Sequence, residues 1–133
     1  VIVISQNSAN TVIVTVTELT TISNPVYLFV FYREELQGQH ESCIAQDSSP
    51  YPDRYNEFTI TDTSSPTPLN GEVNLIYTGA SWYYEIYAQT STTNLDPALA
   101  DELVEQGKVV VVGTETPTPT YTYNPTPTIY VRN

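Results

Sequence analysis

Residues 82–113 read WYYEIYAQTSTTNLDPALADELVEQGKVVVVG, and their pattern decides the fold. On 82–89, Trp82, Tyr84, Ile86 and Ala88 share one face, while Tyr83, Glu85, Tyr87 and Gln89 share the other. That period of two is the mark of a strand with one face in a core. The valine run at 108–112 predicts a second, buried strand. Between them, NLDP (94–97) reads as a turn with a helix start. Asn94 or Asp96 can cap it, and Pro97 suits its first turn. Leu99 and Leu103 lie at helical spacing, and Gly107 can close the segment. The spacing predicts at most one short helix near 97–105. No nucleophile, base or metal ligand accompanies NLDP, so its expected role is a contact loop at the end of the domain.

Upstream, the same period recurs. VIVIS (1–5) is a short apolar strand, and TVIVTVT (11–17) alternates with Val12, Val14 and Val16 on one face. The two predict an opening hairpin or successive edge strands. After SNP (23–25), VYLFVFY (26–32) is apolar on both faces. Tyr27, Phe29 and Phe31 lie on one, and Leu28, Val30 and Tyr32 on the other. Its length and aromatic content predict a central strand, with burial on one face and a contact on the other. HESCIAQD (40–47) is the return strand of a hairpin with it. RYNEFTITD (54–62) directs Phe58 and Ile60 inward. EVNLIYT (72–78) is expected to form a hairpin with 82–89 across the short turn GAS.

Composition agrees with an all-β chain. Charged residues are only 14 % of the 133, against about a quarter in ordinary domains, and Tyr occurs 11 times. The short strands and regular turn signals predict one Ig-like antiparallel β-sandwich of about 8–9 strands over residues 1–113. A jelly roll is the second architecture. Trp82 resembles the core Trp of Ig-like domains, although the Cys pair of antibody domains is absent. Residues 114–133, rich in Pro and Thr, predict an extended strap ending in an edge strand at IYVRN.

Charge and chemistry exclude several function classes. The net charge is −11 with 4 basic residues, which argues against nucleic acid and against an anionic membrane surface. No apolar run approaches the roughly 20 residues that cross a bilayer. No signal peptide is visible, and the absence of Met fits initiator removal or proteolytic maturation. Cys43 is the single cysteine, so no intrachain disulfide forms, and its expected place is the core. His40 and Cys43 lack the further ligands of a zinc site and the third group of a catalytic triad. No nucleophile elbow, zincin or phosphate-loop motif occurs. The reading is a non-enzyme with no cofactor, no metal and no catalytic residues. What remains is surface chemistry rich in Tyr, Asn, Ser and Thr, the residues of adaptable interfaces. The candidate contact residues are Tyr83, Tyr87, Asn94, Asp96, Tyr121, Tyr123, Ile129 and Tyr130, with Tyr51 and Tyr55 as further exposed tyrosines.

The segments SNPVYLFVF (23–31), DRYNEFTI (53–60), WYYEIYAQTSTTNLDP (82–97) and LVEQGKVVVVGTE (103–115) together resemble a family of small structural proteins of tailed bacteriophages, including crAss-like and related phages. The order of the segments matches along most of the chain. The strap at 114–133 is longer and richer in Pro than that family leads one to expect. The resemblance implies a virion component, a capsid auxiliary or decoration protein. Its partners would be the major capsid protein or other virion proteins, or further copies of itself, and its place the capsid surface. Two alternatives accompany it. One is a head- or tail-fibre or adhesin module with a Tyr-rich surface for host or glycan. The other is an extracellular filament subunit assembled by strand exchange.

Overall fold

A computed structural model describes residues 1–33, 40–75 and 82–113. Eight strands occur among them: β1 (Ile2–Ser5), β2 (Ala9–Val14), β3 (Val26–Arg33), β4 (His40–Ala45), β5 (Asn56–Asp62), β6 (Glu72–Val73), β7 (Trp82–Gln89) and β8 (Glu102–Val112). They form a sandwich of a five-stranded sheet, ordered β1-β8-β7-β3-β4, and a three-stranded sheet, ordered β2-β5-β6. The run β8-β7-β3-β4 follows the G-F-C-C′ order of a variable-type immunoglobulin sheet, and β2-β5 follows the opposing B-E pair. The expected Ig-like sandwich is therefore present. Trp82 is buried, but it stands on the F-like strand and not on the C-like strand where antibody domains carry their Trp.

The core is aromatic at its centre. Phe29 and Phe58 face each other across the two sheets at 4.9 Å in an edge-on pair, and Tyr27 meets Phe58 at 5.5 Å. The inward faces predicted for β5 and β7 are the observed ones, with Phe58, Ile60, Trp82, Tyr84, Ile86 and Ala88 buried, and of the two faces on β2 and β3 it is Val12 and Val14, and Tyr27, Phe29 and Phe31, that join this core. Cys43 lies fully inside, and burial pushes its thiol far above the ordinary range. His40 is on the opposite face of the same strand, so the two cannot act as a pair.

Several expectations are corrected. Of the two readings of the first strands, the hairpin is not formed and the successive edge strands are, one in each sheet. β1 runs parallel to β8 at one edge of the large sheet, while β2 pairs antiparallel with β5 at the edge of the other. Residues 72–75 do not pair with 82–89 either, because β7 already has β3 and β8 on its two sides. β6 instead runs parallel to β5. The buried carboxylate of Asp62 explains the capture: it accepts from the Leu75 amide at 2.7 Å and the Asn7 amide at 3.0 Å. Gly71, at φ 76°, makes the preceding turn, and a Cβ there would meet the Thr59 carbonyl at 2.9 Å.

The helix expected near 97–105 is a single 3-10 turn, Pro97–Leu99, and Leu103 already belongs to β8. The valine run is only half buried. Val109 and Val111 face the core, while Val110 and Val112 face out. Gly107 does not close a helix. It sits in β8 opposite Tyr84, whose ring lies across it, so a Cβ would come within 2.8 Å of the ring. Beyond the ring, the Tyr84 hydroxyl donates to Glu105 Oε2 at 2.7 Å. The strap and the strand expected at its end lie outside the described residues.

Gly107→Ala therefore drives a methyl group into the Tyr84 ring. The expected loss of stability is about 1–3 kcal/mol, the range for overpacking. Urea denaturation of the two proteins measures it.

Candidate functional site

The outward face of the five-stranded sheet carries three cross-strand rows set by the register. One runs Lys108, Tyr83, Tyr32, His40 across β8, β7, β3 and β4. The next is Gln106, Glu85, Val30, Ser42, and the third is Leu103, Tyr87, Leu28, Ile44. The third row is the most apolar, and apart from the exposed Leu103 it is covered. Leu28, Val30 and Ile44 form a second buried cluster, joined by Val26, Tyr87, Leu95 and Ala100.

Leu95 and Ala100 come from the connection between β7 and β8, which therefore lies against the sheet face. This corrects the expectation of a contact loop at the sandwich end. Each residue of NLDP has a part in holding it. Asn94 donates from Nδ2 to Gln89 Oε1 at 2.7 Å and to the Asp96 carbonyl at 2.9 Å, and its Oδ1 accepts from the Asp96 amide. Gln89 is buried, and it donates in turn to the carbonyls of Ser91 and Asn94. Leu95 is the apolar plug. Asp96 caps the 3-10 turn by accepting from the Ala98 amide at 2.9 Å, and Pro97 occupies its first turn. At the base, the Thr90 amide donates to Asp101 Oδ2 at 2.9 Å. Asn94 and Asp96 are thus structural groups first, with their polar atoms largely committed.

Where the connection ends against the sheet, it leaves an open groove of about 280 Å³ lined by Val30, Tyr32, His40, Glu85 and Pro97. Tyr83 stacks on Tyr32 with centroids 5.7 Å apart. Tyr87 donates its hydroxyl to Glu85 Oε1 at 2.7 Å. Burial raises the phenol of Tyr32 above its ordinary value, and the charge of Glu85 adds to the shift. Burial also pushes Tyr87 up to about 12, helped by its bond to Glu85. Of the predicted contact residues, Tyr83 and Tyr87 flank this groove. Tyr121, Tyr123, Ile129 and Tyr130 lie outside the described residues. Tyr51 and Tyr55 pair with each other at 6.5 Å in the connection before β5, in the smaller sheet.

Sequence reasoning missed Tyr32, His40, Glu85 and Pro97 as one site. Their alternation was visible, but the register that aligns them across strands was not.

The same face has a second feature at the β1 edge. Val3 and Val110 are direct partners in the register and are 53 % and 49 % exposed, and Val112 follows at 42 %. The backbone of Ser5 is closed by Asn10, which accepts from the Ser5 amide at 2.8 Å and donates to its carbonyl at 3.1 Å. Ser5 therefore points its peptide groups away from β8, and strand alternation directs those of Val3 the same way, to the outer edge. Among the described residues, no group of three or more His, Cys, Asp or Glu side chains is placed to hold a metal ion, and no helix is long and apolar enough to cross a membrane.

Two outcomes follow from the geometry of the connection. Asn94→Ala leaves the side-chain oxygen of the buried Gln89 without its partner, and the expected cost is about 1–3 kcal/mol, measured by urea denaturation. In alkaline titration followed by tyrosinate absorbance, Tyr87 ionises near 12, above its ordinary 10.0. Because the folded value is the higher one, its contribution to stability is complete below the ordinary value and is lost as pH rises toward 12. Tyr87→Phe removes that part of the alkaline loss.

No protein-family model matches the chain, and no curated protein or solved structure matches it.

Proposed function

We propose that this chain is a non-enzymatic structural protein of a virion, a capsid auxiliary or decoration protein attached to the major capsid protein through the edge of its large sheet. The observation that carries the mode of attachment is the valine strip at β1. Val3, Val110 and Val112 form an exposed apolar patch beside a strand edge that has no further strand partner among the described residues, Asn10 closing it only at Ser5. An edge of that kind is a template for an added strand from a partner: main-chain bonds supply affinity, and the flanking side chains supply specificity. The resemblance of the four sequence segments to small structural proteins of tailed phages supports the virion as the place.

The use of polar groups supports a role without chemistry. Asp62 and Asn56 are buried and committed to backbone and side-chain partners, with Asn56 accepting from the Val16 amide at 2.7 Å and donating to Asp47 at 2.7 Å. Such groups hold the fold together. The filament reading draws on the same edge, but a formal charge of −11 on every copy works against stacking like on like. A partner with basic surface suits the charge better.

Proteomics of purified particles of the encoding virus, with heads separated from tails, tests the location. The expected result is this chain in the head fraction at a copy number comparable to the major capsid protein. Its absence from heads contradicts the proposal. For the edge, Val3→Lys with Val110→Glu should reduce binding to heads lacking the protein at least tenfold, about 1.4 kcal/mol, with an unchanged melting temperature. Undiminished binding by that variant rules out β1 as the attachment edge.

A further inference from the structure

We infer that the groove between Tyr32, Glu85 and Pro97 is a receptor for an arginine side chain presented by a partner protein. The walls suit a planar cation. Tyr32 provides an aromatic ring, and Tyr83 stacked behind it at 5.7 Å fixes that ring in place. Glu85 provides a carboxylate on the neighbouring strand. Its Oε1 accepts from Tyr87, and two carboxylate oxygens have acceptor capacity well beyond that one bond. Pro97 closes the third side without adding a donor. A guanidinium stacks on an aromatic ring and forks onto a carboxylate, and a lysine ammonium does neither as well.

Two further observations favour a cation. The Glu85 charge reaches both Tyr32 and Tyr87 and opposes their ionisation, so it is felt as a negative field in the groove. Glu85 offers acceptors, and a guanidinium is a ligand that only donates. Finally, the whole molecule is strongly acidic, which draws basic partners and repels anionic ones. Lys108 and His40 stand at the two ends of the tyrosine row. Lys108 is separated from the groove by Tyr83 and Tyr32.

The site does not depend on the virion reading. It names only the chemistry that enters the groove, and its occupancy is measured on the isolated full chain. The probe is a blocked three-residue peptide, Gly-Arg-Gly, compared with the same peptide carrying citrulline, which keeps the shape and removes the charge. Amide NMR of the labelled protein reports the contact. The arginine peptide should shift Val30, Tyr32, His40 and Glu85, and the citrulline peptide should bind at least tenfold more weakly. Glu85→Gln should abolish the difference between the two peptides while its spectrum stays folded. Tyr32→Leu should weaken both. Equal binding of the two peptides, shifts confined to other surfaces, or no shifts up to about 10 mM peptide would each overturn the assignment. Selective perturbation of the groove by methyl glucoside, with no response to arginine, would replace it with a sugar site.

Discussion

The structure depends on one constraint, the burial of β3 on both faces. VYLFVFY offers no polar side for water. Tyr27, Phe29 and Phe31 need one apolar cover, and Leu28 and Val30 need another. The smaller sheet supplies the first through Phe58 and Ile60. Most of the outer face of a sandwich is solvated, so the second cover has to come from elsewhere. It comes from the connection between β7 and β8, which brings Leu95 and Ala100 onto Leu28, Val30 and Ile44. A backbone laid against a sheet must satisfy its own polar groups. That is why the same connection carries a capping aspartate and an asparagine with three side-chain bonds, and why the buried Gln89 at the end of β7 bonds to it.

The surface follows from where that cover stops. It shields the row containing Tyr87 and Leu28, and it ends before the row containing Tyr83 and Tyr32. The step between them is the groove. Further along the sheet, β8 turns alternate valines outward beside β1, where no strand and no loop of the described residues covers them. The two surfaces thus differ in chemistry: one is an aromatic and acidic recess, and the other is an apolar strip along a strand edge. Both suit contact with a partner, while the buried polar groups serve mainly to keep the fold.

Much of the architecture was legible in the residues. Alternation is a local property, so the inward sets on β5 and β7 could be read from side-chain type alone, and the two faces of β2 and β3 could be separated. Cys43 as a core residue followed from its small apolar side chain and the lack of a ligand set or triad, and the two-sided apolar character of 26–32 pointed to a contact on its second face. Pairing was less legible, because partners are set by distant groups. Nothing local tells residues 72–75 that Asp62 will hold Leu75 beside β5. Nothing in VEQGKV tells that Gly107 makes room for Tyr84 rather than ending a helix. The site was hidden for the same reason. Tyr32, Glu85, His40 and Pro97 come from four separate stretches, and only the register brings them together.

The most direct test is the set of methyl contacts seen by NMR between Leu95 and the outer face of β3. Two-sided burial predicts cross-peaks from the Leu95 methyls to those of Leu28, Val30 and Ile44, together with slow amide exchange at Gln89. Their absence, with the amides of 91–100 exchanging as fast as an open loop, would contradict it. In that case both the covered row and the groove beside it would have to be abandoned.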